Sequence, residues 1–133
     1  MAREIGHEND RERTTWFFYP NDFLFAYPAL FTQLNAFRDI VMLSDSVLIA
    51  ISYGDIFQLR NAFIEFALFM DSLRDRSEMD RSLFAAQIYH LTAQQRYDRL
   101  FSEHSELFKI AKRKDIASFL GIKTDNFGRY FHS

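Results

Sequence analysis

The chain contains no cysteine, and this absence excludes several kinds of chemistry at once. Without cysteine there is no disulfide framework, no thiolate zinc site and no cysteine nucleophile. Glycine is scarce as well, with four copies, and neither a glycine-rich phosphate loop nor a Gly-x-Ser-x-Gly motif occurs. The histidines, His7, His90, His104 and His132, are scattered without metal-ligand spacing. We therefore expect a protein that is not an enzyme and that uses no metal or cofactor.

Long apolar runs are also missing. No stretch approaches the roughly 20 residues that a membrane-spanning helix needs, and the N-terminus lacks the apolar segment of a signal peptide. The sequence therefore predicts a cytoplasmic protein without a membrane partner. What the chain has in abundance is phenylalanine, with 16 copies among 133 residues, which supplies bulky packing material for one domain or two small ones.

Charge is distributed unevenly along the chain. The formal net charge is −2, yet basic residues outnumber acidic ones from Lys109 onward. A basic C-terminal segment on an acidic body is typical of a nucleic-acid-binding module that is attached to another domain.

The N-terminal part of the chain predicts strands and turns. The β-branched and aromatic residues 14–19 predict a strand, and Pro20-Asn21-Asp22 after it predicts a turn. Residues 23–32 contain a proline and predict a short helical turn flanked by loop.

Two more strands are predicted before the first long helix. Residues 37–43 and 47–52 have strand composition, and Ser44-Asp45-Ser46 between them predicts a hairpin turn. A break at 53–55 follows, in which Asp55 is the predicted helix cap.

A long helical pattern comes next. Residues 56–90 contain neither proline nor glycine, and apolar side chains recur three and four positions apart. Such a helix would extend about 50 Å, too long for the core of so small a domain. We expect it to pack against a second copy of the chain; the alternative is a break near Ser77 and packing within one chain. The expected dimerisation residues are Phe66, Phe69, Met70, Leu73, Met79, Leu83 and Phe84.

Thr92 is the predicted cap of a further helix over 93–104, and 105–112 is a predicted connection. Residues 114–132 then predict a short helix, a tight turn and a second helix. In the first of these, Ala117 and Gly121 are small enough to let another helix cross closely, and Thr124 would cap the second. The side chains expected between the two helices are Ile116, Leu120, Ile122 and Phe127. This layout is typical of a helix-turn-helix, whose second helix enters the DNA major groove.

Three segments resemble the Crp/Fnr family of bacterial transcription regulators. LTAQQRYDRLFSEHSELF (91–108) and IASFLGIKTDNFGR (116–129) are similar to the family's C-terminal half. YPNDFLFAYPALF (19–31) is similar to a pattern of divergent, Bacteroidetes-type members.

The resemblance implies an α+β fold with three parts. Residues 1–55 would be a partial antiparallel β-roll of jelly-roll type, which lacks the first strands of the family's sensor. Residues 56–91 would be the dimerisation helix and 92–133 the helix-turn-helix domain. The implied partners are double-stranded DNA, a second copy of the chain and an effector of unknown chemistry.

The resemblance argues against cyclic nucleotide binding. Relatives that bind the nucleotide hold its phosphate with a Gly-Glu turn and a Pro-Arg run, and arginine suits that task because it contacts two phosphate oxygens at once. Leu24-Phe25 and Asn35-Ala36 stand at these positions here. Arg38, two residues further along, would share the strand face of the missing arginine.

The resemblance also implies DNA contacts, and several have a plain alternative. The basic run that contains Lys114 is explained equally well as a solvated helix terminus. Arg129 matches the arginine of the family's Ser-Arg pair and would bind guanine, or else be a surface arginine. Asn126 would read adenine, or only solvate the first turn, while Lys123 and Thr124 would contact phosphates. Gly128 replaces the family's serine, so that either the specificity is altered or the helix is looser. The full expected set is Lys114, Lys123, Thr124, Asn126, Gly128 and Arg129.

The weak points of this assignment define a second hypothesis. Gly128, the incomplete sensor and the absence of a wing after Ser133 would also fit a truncated dimerisation or ligand-sensing module that does not read DNA.

Overall fold

The computed structural model describes residues 1–130. Within them the chain is α+β, with three strands and seven α-helices. In chain order the elements are β1 (Ala2–Glu8), β2 (Arg11–Phe18), α1 (Ala29–Thr32), β3 (Asp39–Met42), α2 (Tyr53–Ala62), α3 (Ile64–His90), α4 (Ala93–Glu103), α5 (Leu107–Ile110), α6 (Arg113–Leu120) and α7 (Thr124–Phe127), followed by a 3₁₀ turn at Gly128–Tyr130. Residues 47–87 form one compact unit, and residues 1–46 with 88–130 form another.

The strands form one antiparallel sheet in the order β2-β1-β3. A tight turn joins β1 to β2, and its residues Asn9 and Asp10 have φ values of 50° and 62°, which these two residue types tolerate better than most. The predicted strands 14–19 and 37–43 correspond to β2 and β3. Strand β1 was not predicted, because its polar and charged residues hide the alternation of buried side chains such as Ala2 and Glu4.

Residues 47–52 correct the sequence prediction, since they form neither a strand nor the second arm of a hairpin around 44–46. Val47 and Ile49 are almost fully exposed. Strand propensity mainly reports how a side chain fits a pleated, half-buried surface. Residues 47–52 are exposed and have no such surface to pack against.

The predicted helix over 56–90 is two helices, α2 and α3, and the break lies at Phe63 rather than near Ser77. Phe63 adopts an extended conformation, with φ −131° and ψ 119°. Ser77 stays helical and its hydroxyl donates to the Leu73 carbonyl at 2.8 Å. The predicted cap Asp55 is also wrong: Ser52 is the N-cap, and its Oγ accepts from the Asp55 N–H at 3.1 Å.

The unit formed by residues 1–46 and 88–130 has a core to which both ends of the sequence contribute. Helix α6 packs against β2, where the Phe119 ring meets the rings of Trp16 and Phe17 edge to face, with centroids 6.0 and 5.0 Å away. Tyr97 of α4 is 2 % exposed and packs edge to face against Phe127 at 5.7 Å. The division of the sequence at residues 55 and 91 did not anticipate that the first and last segments share a core.

Across residues 1–130, no helix has both the length and the apolar character that crossing a membrane requires.

Candidate nucleic-acid interface

Helix α4 contacts α6 and helps to hold the candidate interface in place. Thr92 caps it as predicted, since the Thr92 hydroxyl accepts from the Gln95 N–H at 3.2 Å and the Gln95 side chain accepts from the Thr92 N–H at 2.9 Å. One turn further on, Arg96 donates to the carbonyls of Leu91 at 2.7 Å and Leu120 at 2.8 Å. A cation at the last carbonyls of α6 is favourable, and it ties the end of that helix to the start of α4.

The turn after α6 depends on Gly121. This residue has a φ of 67°, in the left-handed region that glycine enters without strain. The next N–H, of Ile122, donates to the Ala117 carbonyl at 2.9 Å, as in a Schellman motif. The prediction for Gly121 was therefore wrong in its reason, because the residue ends the helix and does not serve as a crossing point within it.

A buried wedge fixes α6 against α7, as the sequence predicted. None of its side chains is more than 8 % exposed. Its members are Ile116, Leu120, Ile122 and Phe127. Helices α6 and α7 therefore share one apolar core.

The second helical element is short. Helix α7 has four residues and continues as a 3₁₀ turn from Gly128, which is in the right-handed helical region with φ −59°. The predicted cap Thr124 is instead the first helical residue, and Lys123 occupies the N-cap position. A side chain at Gly128 would have nothing within 4 Å to contact. Phe131 and His132, which end the predicted segment, lie outside the described residues.

The outer face of this element carries most of the predicted DNA contacts. Lys114, Lys123, Thr124, Gly128 and Arg129 are exposed, while Asn126 is half-buried. Two acidic residues lie in the same stretch, but only Asp125 is exposed, because Asp115 is buried. The charge presented to solvent is therefore mainly positive, which suits a polyanion.

The partner of Asp115 was missed by sequence reasoning. Its Oδ1 lies 3.0 Å from Nη1 of Arg3, and the side chains are 8 % and 13 % exposed. The two residues are more than a hundred positions apart, and no local pattern links them. The same applies to the hydrogen bond from the Thr14 N–H to Ser118 Oγ at 3.0 Å.

On the other face of the sheet, Arg38 is already engaged. Its Nη1 lies 2.9 Å from Oε1 of Glu4, which is fully buried and also accepts from the Thr15 hydroxyl at 2.7 Å. A phosphate that approached Arg38 would compete with a buried carboxylate, whose loss of partners is costly. Of the two segments discussed above for phosphate binding, Leu24-Phe25 is half-buried and Asn35-Ala36 is exposed.

The predicted dimerisation residues fall on two faces of α3. Met70 is buried, and Phe66, Leu73 and Phe84 are half-buried, along one stripe that we call the inner stripe. Phe69, Met79 and Leu83 are exposed, with Met79 at 60 % and Leu83 at 57 %. Together with Leu68 at 58 % they form an outer stripe within about 100° of the helix surface.

Two tyrosines have environments that disfavour ionisation. Burial, with Asp22 and Glu103 nearby, raises the pKa of Tyr19 far above its ordinary value. Its ring stacks on His104 at 3.8 Å. Burial likewise raises the pKa of Tyr97. Both side chains therefore pack as neutral aromatic groups.

Other chemistry is not suggested by the described part of the chain. Within residues 1–130, no three metal-ligating side chains come together. A surface depression of about 430 Å³ at the β1–β2 turn is lined by Glu8, Asn9, Arg11 and Arg13, and there Arg13 pairs with Glu8 at 3.6 Å. We assign no ligand to it.

No known protein family, curated protein or solved structure matches this chain.

Proposed function

We propose that the protein is a dimeric, sequence-specific DNA-binding regulator of the Crp/Fnr type, acting in the cytoplasm. The observation that carries this proposal is the α6–Gly121–α7 arrangement. Its inner side is a buried apolar wedge, and its outer side exposes cationic and hydrogen-bonding groups. A helix-turn-helix needs both properties, because the first makes the pair rigid and the second meets the groove.

Residue roles follow from where the side chains lie. Arg129 is exposed on the turn after α7 and would donate to guanine O6 and N7. Asn126 would read adenine, and Lys123 and Thr124 at the start of α7 would contact phosphates. Lys114, exposed in the first turn of α6, would add a phosphate contact.

The outer stripe of α3 supports the dimer. Leu68, Phe69, Met79 and Leu83 expose large apolar side chains along one helix face, and such stripes are usually covered by another protein surface. A dimeric helix-turn-helix protein binds two half-sites about 34 Å apart, one helical turn of DNA.

The proposal for the sensor concerns the sheet and the ligand that it would bind. The three-stranded sheet would be part of a β-roll-like sensor, and it would bind no cyclic nucleotide, because Arg38 is held by Glu4. An effector of other chemistry would act by shifting the helix pair and thus the spacing of the two recognition elements.

Replacing Arg129 tests this function. In Arg129→Ala we expect the preference for a selected duplex over a scrambled one to fall by about 1–3 kcal/mol, the value of one base contact, while the dimer mass is unchanged. Arg99→Ala is the matched control, because Arg99 is an exposed arginine on α4 that pairs with Glu103 at 3.1 Å. The measurement is a gel-shift titration with both duplexes; an unchanged preference in Arg129→Ala would count against the assignment.

The alternative function is an interaction module that dimerises without reading DNA. The four-residue length of α7 and the glycine that follows it favour this alternative. The salt dependence of the affinity for DNA distinguishes the two candidate functions. A DNA reader loses affinity steeply with salt, by about one unit of logarithmic slope for each phosphate neutralised, and an interaction module has no such dependence.

A further inference from the structure

An ion pair that is largely shielded from solvent connects strand β1 to helix α6. Nη1 of Arg3 lies 3.0 Å from Asp115 Oδ1 and donates to Thr14 Oγ1, also at 3.0 Å. Nη2 of the same guanidinium lies 3.3 Å from Glu12, whose side chain is 59 % exposed. One arginine therefore holds together β1, β2 and the first turn of α6.

A second polar contact lies one turn further along the helix. The N–H of Thr14 donates to Ser118 Oγ at 3.0 Å. Asp115 and Ser118 are three positions apart, so they share one face of α6 and are separated by roughly 4.5 Å along its axis. Two directional contacts at different heights fix both the rotation of a helix and its position along its axis.

The apolar contacts at this interface do not impose the same constraint. The ring of Phe119 packs against Trp16 and Phe17, and apolar burial is non-directional, so it tolerates small slides and rotations. Charge-assisted hydrogen bonds of an arginine have defined geometry and do not tolerate them.

We propose that Arg3, Thr14, Asp115 and Ser118 are positioning residues: they lock α6 in one register on the sheet, so that strand β1 sets the orientation in which the α6–α7 pair meets DNA. This inference rests on the proposed function. The locked arrangement is the binding-competent one, because Lys123 and Arg129 stay exposed in it. Strand β1 is thus the route by which a change in the sheet reaches the recognition element.

Contacts on the opposite face of β1 support the same role for this strand. Glu4, the residue next to Arg3, is held by Arg38 and Thr15. Consecutive strand residues point to opposite faces, so β1 is anchored on both sides, and a displacement of one anchor is transmitted to the other.

The test compares Asp115→Asn and Ser118→Ala with Glu12→Gln, which removes only the charge of the exposed partner of Arg3. The readout is the ratio of affinities for a duplex selected from a random library and its scrambled counterpart, measured where circular dichroism shows every variant folded. We expect the ratio to fall about tenfold in Asp115→Asn and severalfold in Ser118→Ala, since base contacts need an oriented element and phosphate contacts do so less. Glu12→Gln should keep the wild-type ratio. A loss of stability alone would lower both affinities together and leave the ratio intact.

The outcomes separate the two proposals. A wild-type ratio in both interface variants overturns the positioning role and leaves the proposed function standing. A wild-type protein that prefers no duplex overturns both. If Asp115→Asn does not fold, Ser118→Ala decides, because alanine favours the helix and leaves the ion pair in place.

Discussion

Two glycines near the C-terminus have opposite structural requirements. Gly121 has a φ of 67°, in a region that costs other residues strain, and it ends α6. Gly128 has a φ of −59°, which every residue adopts, and open space surrounds the position of its missing Cβ. The backbone conformation at position 121 requires glycine, whereas Gly128 only weakens the helical turn that contains it.

This contrast predicts opposite effects of the same substitution. Gly121→Ala should lower the free energy of unfolding by about 1–2 kcal/mol because of left-handed strain. Gly128→Ala should raise it by up to about 1 kcal/mol, since alanine is the better helix former. Urea unfolding of the two variants checks this, and the same sign for both would contradict the geometry described for the turn.

At the level of elements, prediction from sequence succeeded where the signal was local. Thr92 caps α4 as predicted, and residues 14–19 have strand composition that matches β2. It failed where tertiary contacts decide. Residues 47–52 have strand composition without a partner strand, and neither glycine nor proline marks the break at Phe63.

The capping box gives a prediction for α4. Thr92→Ala removes the side-chain acceptor for the Gln95 N–H and should destabilise the protein by about 1 kcal/mol. Ser102→Ala is the control, because Ser102 is an exposed residue in the last turn of the same helix, where alanine is neutral or favourable. Thermal unfolding of both measures the difference; equal midpoints would show that the cap contributes nothing.

The two stripes of α3 give a prediction for assembly. Leu83→Glu places a charge on the exposed outer stripe and should convert the proposed dimer to a monomer at micromolar concentration. Ala85→Glu adds the same charge to an exposed position away from both stripes and should leave the dimer intact. Sedimentation equilibrium distinguishes twice the 15.8 kDa chain mass from a single copy. A wild type that is already monomeric would contradict the proposed dimer.

For the whole molecule, the candidate site divides into a part that sequence predicts and a part that it does not. The wedge residues and the exposed Arg129 follow from spacing and resemblance within one short segment. The docking of α6 on the sheet through Arg3 and Asp115 joins residues at opposite ends of the chain. A single sequence has no signal for such a pair, because each residue alone looks like an ordinary surface charge.

The central claim is that two copies of this chain read DNA sequence together, and selection of bound duplexes from a random library tests it most directly. We predict enrichment of palindromes whose half-sites lie one helical turn, or a whole number of turns, apart. A library that emerges from repeated rounds without any enriched sequence would contradict the claim.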